Sequence, residues 1–153
     1  MSIKRKELDD IELTGVGEPV WFTALVRETA QLDQTGVGAA VLSLRLNQDE
    51  DNERHAIQVL NLLRRLLRPT DQLGQPSKTA ISVLLAPLES LRDTASHVHT
   101  LTTALNDAGL SVSAGFAHRR EGESLLDTWA RAEAQSDRAA FRLKHKSGLR
   151  LGE

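Results

Sequence analysis

Residues 53–85 read ERHAIQVLNLLRRLLRPTDQLGQPSKTAISVLL, a stretch that joins a predicted helix, a sharp corner and a predicted strand. From Glu53 to Leu67, apolar residues recur every three or four positions, which is typical of an amphipathic helix. The proline in Arg68-Pro69-Thr70-Asp71 ends that helix because it has no N–H for the next turn. A turn-rich run over Gln72 to Lys78 follows, and Ala80 to Leu85 is an apolar strand that we expect near the centre of a sheet.

The rest of the chain alternates helical and extended patterns in the same way. Glycines and prolines separate these segments, as expected at turns and helix ends. Helices that alternate with short apolar strands indicate the α/β (α+β) class, with a central β-sheet covered by helices. Residues 1–10 are predicted to be a flexible N-terminal segment and residues 11–153 a single domain. The further predicted elements are helices over 20–32, about 87–106 and about 125–146, and strands over 39–46, 110–117 and 149–151, the last a short edge strand after Gly148.

Composition restricts the kind of protein. A chain of 153 residues, 40% hydrophobic and 26% charged, is ordinary for one globular domain. A net charge of −2 and 3% aromatic residues give neither a basic surface nor stacking platforms, so we expect no nucleic acid polymer as partner. The absence of cysteine excludes disulfides and is compatible with the cytoplasm, where we expect the protein. No apolar run resembles a signal peptide or a membrane span, so no membrane insertion is expected.

Arg68 and Asp71 are the pair with the most specific chemistry. A planar donor fork matches O6 and N7 of guanine, and a carboxylate accepts from its N1–H and amino group. With 14 arginines and 10 aspartates in the chain, roughly one Arg-x-x-Asp is expected by chance. An arginine in a last helical turn also complements the helix dipole without any ligand. The spacing alone therefore leaves a binding role and a structural role open.

Other catalytic and metal-binding patterns are missing from the sequence. It contains no glycine-rich phosphate loop and no nucleophile elbow. His97 and His99 lie two positions apart on a predicted helix, so we expect solvated or partly packed histidines rather than metal ligands. The acidic run from Asp49 to Glu53 lacks the glycine and the terminal glutamate of a calcium loop. We therefore predict no catalytic residue and no metal site.

Taken in order, the segments resemble the GGDEF domain of bacterial diguanylate cyclases. Leu13-Thr14-Gly15-Val16 is similar to the opening Leu-Thr-Gly-Leu of that family, and Ser113-Ala114-Gly115-Phe116-Ala117 to its Ser-x-Gly-x-Ala strand. The apolar strand from Ile81 to Pro87 and the basic helix end before Gly148 also fall at matching places. Each motif is weak alone, and their shared order over residues 11–151 carries the resemblance. It implies a GGDEF/nucleotidyl-cyclase-like sheet with a β-hairpin that runs into the apolar strand.

Three departures from the family pattern concern its catalytic parts. Ser77-Lys78-Thr79-Ala80-Ile81 stands where Gly-Gly-Asp-Glu-Phe is expected, so both acids are gone. Arg45-Leu46-Asn47 replaces the metal-binding Asp-x-Asp, and an arginine repels magnesium. The loop that follows, which helps to bind GTP in the family, is shorter by about eight residues. The resemblance is thus to a degenerate GGDEF domain, and we predict that the chain is not an enzyme.

The resemblance also gives the corner a function. Five residues separate Asp71 from Ser77, which is the spacing of the family's inhibitory site, where Arg-x-x-Asp binds cyclic di-GMP. A chance pair at that one position has odds on the order of one in a hundred. The resemblance implies that Arg68 holds the guanine O6/N7 edge and Asp71 its donor edge. Arg92 and His99 on the long helix are candidates for a completing group, and no cofactor beyond this ligand is expected.

Two functions remain open at this point. One is a non-catalytic cyclic di-GMP receptor that controls exopolysaccharide or biofilm machinery through a protein partner, such as a polysaccharide synthase or a secretion complex. The other is a ligand-independent protein-interaction or dimerisation module in which Arg68 and Asp71 are structural. A homodimer is compatible with either function.

Overall fold

A computed structural model describes residues 17–47 and 52–152. The predicted flexible segment 1–10, the Leu-Thr-Gly-Val motif and most of the acidic run lie outside the described residues. The elements follow the order predicted from the sequence, with one additional strand before the apolar strand. They are α1 (Glu18–Thr35), β1 (Gly38–Leu46), α2 (Asn52–Leu66), β2 (Gln72–Ser77), β3 (Ala80–Leu88), α3 (Leu91–Asp107), β4 (Val112–His118) and α4 (Leu125–Gly152).

The four strands form one antiparallel sheet in the order β2-β3-β1-β4. Residues along β1 alternate between the two faces of this sheet, because successive side chains of a strand point to opposite sides. Leu42 and Leu44 belong to the apolar cluster on one face, and Val41 to the cluster on the other. The α+β class with a helix-covered central sheet is confirmed.

Each face of the sheet is covered by two helices. On one face α2 and α3 bury a mainly aliphatic cluster, and on the other α1 and α4 bury a cluster that contains both tryptophans. The Trp129 indole N–H donates to Ser82 Oγ at 2.9 Å, so the polar end of this buried ring has a partner on β3. The helical core residues are Ala56, Val59, Leu60, Leu63, Val98, Leu101 and Leu105 on the first face, and Trp21, Leu25, Leu32, Leu125, Trp129 and Ala132 on the second.

Residues Gln72–Ser77, predicted to be a turn-rich run, form the edge strand β2 instead. The prediction followed Gly74 and Pro76, which usually mark turns. Pro76 is tolerated because an edge strand does not need every N–H for the ladder. Gly74 is required by packing, since a Cβ there would lie 2.5 Å from the ring of Trp21. Together β2 and β3 form the hairpin that the family resemblance implies.

Two further element boundaries predicted from the sequence are wrong. Pro87 and Leu88 belong to the end of β3, and α3 begins only at Leu91 because Ser90 caps it by accepting from the Asp93 N–H. Residues 149–151, predicted to be an edge strand, continue helix α4 to Gly152. Gly148 does not end this helix, since an interior glycine costs only about 1 kcal/mol relative to alanine.

Candidate ligand-binding corner

The corner after α2 is closed by its own backbone. Pro69 follows the last helical turn, and the Asp71 N–H donates to the Arg68 carbonyl at 3.0 Å. The Arg68 N–H in turn donates to Oδ2 of Asp71 at 2.9 Å, so the aspartate caps the turn in which it lies. This local geometry brings the two side chains of the Arg-x-x-Asp sequence to the same side of the corner.

Arg68 and Asp71 form a bidentate ion pair. Nε of Arg68 donates to Oδ2 at 3.2 Å, and Nη2 donates to Oδ1 at 2.8 Å. Nη1 donates to the carbonyl of Pro87 at 3.1 Å, which ties the corner to the end of β3. Parallel charge-assisted bonds of this kind fix the plane of the guanidinium as well as its position.

The two members of the pair differ sharply in exposure. The Asp71 side chain is 0% exposed, whereas that of Arg68 is 41% exposed. Burial raises the pKa of Asp71, but hydrogen bonds from Arg68 and His97 outweigh burial and hold it below its usual value. The hydrogen bond to Asp71 raises the pKa of Arg68. Both groups are therefore charged at neutral pH.

His97 on α3 completes the surroundings of the carboxylate, with Nε2 3.1 Å from Oδ2 of Asp71. The sequence predicted a solvated or partly packed histidine and not this contact, because His97 and Asp71 are 26 positions apart and no spacing rule connects them. With this contact, the two carboxylate oxygens accept four N–H groups, three from Arg68 and one from His97. Three of these N–H groups are on Oδ2 and one is on Oδ1, and the side chain is 0% exposed, so Asp71 is both buried and well supplied with donors.

Arg92 and His99 lie on the same helix as His97 but on a different side of it. At 3.6 residues per turn, Arg92 lies about 140° and His99 about 200° around the α3 axis from His97. Both side chains are exposed, and the described contact of His99 is with Thr103 Oγ1, 3.5 Å from its Nε2. The helix therefore presents His97 to Asp71 and carries Arg92 and His99 on its other side.

The chemical capacity of the corner lies in Arg68. A guanidinium has five N–H groups, and three of them are used by Asp71 and Pro87. The other two have no partner among the described residues. One of them belongs to Nη1 and the other to Nη2, and both lie in the rigid plane of the guanidinium, where they can donate to acceptors on a ligand, such as O6 and N7 of guanine or two phosphate oxygens.

The hairpin turn differs from the corner in its chemistry. Ser77 to Thr79 contain no carboxylate, and the Thr79 N–H contacts Ser77 Oγ at 3.4 Å. Arg45 on β1 lies on the α4 side of the sheet, where Nη1 donates to Asp137 Oδ1 at 2.7 Å. An open cleft of about 710 Å³ lies beside the turn and is lined by Gly17, Glu18, Glu53, Gln75, Pro76, Ser77 and Lys78.

Comparison with solved structures identifies the class of fold. It is that of GGDEF domains, matched with TM-scores of about 0.67. The GGDEF domain of DgcB from Caulobacter crescentus, in complex with c-di-GMP, is 17% identical with a TM-score of 0.67, over 80% of this chain and 84% of that one. A microbial GGDEF domain described with a novel interaction mode for cyclic di-GMP is 21% identical with a TM-score of 0.70, over 86% and 89%.

A third similar structure contains a protein partner. It is diguanylate cyclase SiaD in complex with its activator SiaC from Pseudomonas aeruginosa, 18% identical with a TM-score of 0.69, over 90% of this chain and 64% of that one. At these identities the likeness concerns the fold alone. A scan against protein-family models and a search of curated proteins gave no match. Within residues 17–47 and 52–152, none of the helices has the length and apolarity to cross a membrane.

Proposed function

We propose that this protein is a non-catalytic receptor for cyclic di-GMP and that Arg68 is its guanine-binding group. One observation carries the proposal: an exposed guanidinium is held in a fixed plane by a buried carboxylate, with two N–H groups left over. GGDEF domains of the same fold have been solved in complex with cyclic di-GMP. This supports the choice of ligand that the Arg-x-x-Asp spacing suggests.

The geometry gives Asp71 a different role from the one predicted from the sequence. A carboxylate that is 0% exposed presents no surface to the donor edge of guanine, and it already accepts N–H groups from Arg68 and His97. In this arrangement Asp71 orients Arg68, and Arg68 alone meets the base or a phosphate. A parallel pair of N–H bonds to guanine O6 and N7 contributes about 1–3 kcal/mol of discrimination against other bases.

The absence of cyclase activity is part of the proposal. Magnesium at a phosphoryl-transfer site needs oxygen ligands, and neither Thr79 nor Ala80 supplies a carboxylate where the family has two acids. Arg45 stands at the family's metal-binding position and is engaged by Asp137. Incubation with GTP and magnesium is expected to yield no cyclic di-GMP, measured by chromatography of the nucleotides.

We further propose that the receptor acts in the cytoplasm through a protein partner, a polysaccharide synthase or secretion complex of the exopolysaccharide or biofilm machinery. The partner class is taken from degenerate receptors of the resembled family. SiaD shows that a protein of this fold can be complexed with an activator protein. Isothermal titration of the purified partner, with and without cyclic di-GMP, measures whether the nucleotide changes that association.

One observation favours a second function, a ligand-independent interaction or dimerisation module. Asp71 accepts hydrogen bonds from Arg68 and His97, and Nη1 of Arg68 donates to Pro87, so the corner joins the end of α2 to β3 and α3 without any ligand. Such a network is a sufficient structural reason to keep both residues. Under this alternative, removal of Arg68 lowers stability, while cyclic di-GMP has no effect on the fold or on self-association.

Calorimetric titration with cyclic di-GMP separates the two functions. The wild type and Arg64→Ala, which removes an exposed arginine of the preceding helix α2, are expected to release equal heat. Arg68→Lys keeps the charge but loses the planar fork, so we expect at least tenfold weaker binding from the loss of about 1.5–3 kcal/mol. Arg68→Ala is expected to abolish the heat, provided that circular dichroism shows a folded protein. No heat from wild type at high micromolar ligand would exclude the receptor.

A further inference from the structure

His97 is the contact of the Asp71 carboxylate that comes from outside the corner. It lies on α3 with its side chain 18% exposed, and its Nε2 is 3.1 Å from Oδ2. Asp71 is ionised because hydrogen bonds keep its pKa low, and an ionised carboxylate only accepts hydrogen bonds. Nε2 must therefore carry the hydrogen in this contact, which fixes the tautomer of a neutral ring.

The orientation of Arg68 depends on the plane of this carboxylate. Of the four N–H groups on Asp71, two belong to the Arg68 side chain and move with it when it turns, and a third is the backbone N–H of Arg68, which stays in place. The fourth comes from an α-helix that is anchored in the core by Val98 and Leu101. His97 thus adds a contact from α3 to the carboxylate, beside the backbone N–H of Arg68, and so supports the orientation of the guanidinium from a separate element of the fold.

The residues next to His97 on α3 do not offer a substitute for it. Thr94 donates its hydroxyl to the carbonyl of Ser90, and Thr100 donates to the carbonyl of Ser96, so both hydroxyl hydrogens are used within the helix. Within the described residues, the donors to Asp71 are Arg68 and His97. Replacing the imidazole therefore removes one of the four N–H groups that stabilise this buried carboxylate.

We propose that His97 is a positioning residue for cyclic di-GMP binding at Arg68. It does not touch the ligand. It donates to Oδ2 of Asp71 and so holds the two outward N–H groups of Arg68 in the plane in which they meet O6 and N7 of guanine. The inference rests on the proposed receptor function and adds to it a residue that lies outside the Arg-x-x-Asp sequence.

Three substitutions of His97 test this role by calorimetry with cyclic di-GMP. His97→Leu removes the donor, and we expect binding weaker by on the order of tenfold, as for loss of one hydrogen bond to a charged group. His97→Gln places an amide N–H near the position of Nε2 and is expected to restore most of the affinity. His97→Asn carries the same amide one methylene shorter and is expected to bind as weakly as His97→Leu. Thr103→Ala, an exposed change on α3, serves as the matched control.

The outcomes separate the inference from the receptor function. If wild type binds and the Leu and Asn variants bind equally well, His97 has no positioning role and the receptor function stands. If wild type does not bind at all, both are refuted. Affinities are compared at equal folded fraction, measured by circular dichroism, and if His97→Leu does not fold, the contrast between Gln and Asn decides. Nitrogen-15 spectra of the wild-type ring should show the hydrogen on Nε2, and a neutral ring protonated only at Nδ1 would also overturn the inference.

Discussion

Glu123, in the loop before α4, has a side-chain carboxyl group whose pKa is strongly lowered. Hydrogen bonds from Arg131, at 3.0 and 2.6 Å, lower the pKa of Glu123 from its usual 4.5 to about 2. A folded-state pKa below the unfolded one stabilises the fold above pH 4.5, and this stability is lost as the pH falls toward 2. The pair therefore links the loop to α4 at neutral pH and releases it in acid.

The Glu123→Gln variant should lack this part of the acid sensitivity. We expect its free energy of unfolding at pH 7 to fall by about 1–3 kcal/mol, because Arg131 loses a charged partner. Between pH 4.5 and about 2 the difference from wild type should shrink, since the native glutamate becomes protonated there. Urea unfolding across this pH range measures both effects, with Glu121→Gln, an exposed neighbour, as control. A constant difference at every pH would contradict the assignment.

Residue patterns revealed the corner but only part of its chemistry. The Arg68 and Asp71 pair is local, and its spacing in the sequence drew attention to the two residues, but the ion pair between them is shown only by the structure. Burial of Asp71 and its bond to His97 arise when α3 packs across the end of β3, and no spacing in the sequence encodes that approach. Arg92 and His99 are candidates for the completing group because they lie on α3. Which side of α3 faces the corner, however, is set by its core residues Val98 and Leu101.

At the scale of elements, the seating of α4 on the sheet depends on one residue without a side chain. A Cβ on Gly115 in β4 would lie 2.5 Å from Gln135 Cβ and from the Ser136 backbone nitrogen. Gly115→Ala should therefore push α4 outward and cost about 1–3 kcal/mol of stability, as other overpacked sites do. Chemical denaturation measures this, and Gly17→Ala, where a Cβ meets nothing within 4 Å, is the comparison. Equal stability of the two variants would show that α4 adjusts freely.

Helices and strands were predictable where apolar residues repeat regularly over many positions. They were less predictable where contacts with other elements determine the structure. β1 and α2 follow their apolar patterns closely, but β2 contains Gly74 and Pro76 and was predicted as a run of turns. It is a strand because β3 supplies a partner and because Trp21 fills the space above Gly74. In α1, Val26 is 57% exposed whereas Trp21 is 1% exposed, a difference that is set by the packing of the helix on the sheet.

At the scale of the whole molecule, the corner and Gly115 belong to separate layers. His97 and the end of α2 adjoin the aliphatic cluster, whereas Gly115 faces α4 on the opposite side of the sheet. Changes at distant sites without shared partners usually add in free energy. Ligand binding at Arg68 and overpacking at Gly115 are therefore expected to act independently on the stability of the protein.

Because the effects at Arg68 and Gly115 are expected to be independent, thermal unfolding of the wild type and of Gly115→Ala can test ligand binding. A ligand that binds only the native state at 100 times its Kd adds about 2.7 kcal/mol, which corresponds to roughly 5–10 °C in the unfolding midpoint of a domain of this size. Cyclic di-GMP should produce the same gain in wild type and in Gly115→Ala, and GTP should produce none in either. Scanning calorimetry with each nucleotide measures these shifts. A ligand held by Arg68 is not affected by a change on the opposite face of the sheet. A gain that appears only in the Gly115→Ala variant would therefore contradict binding at Arg68 and indicate a site created by the displacement of α4.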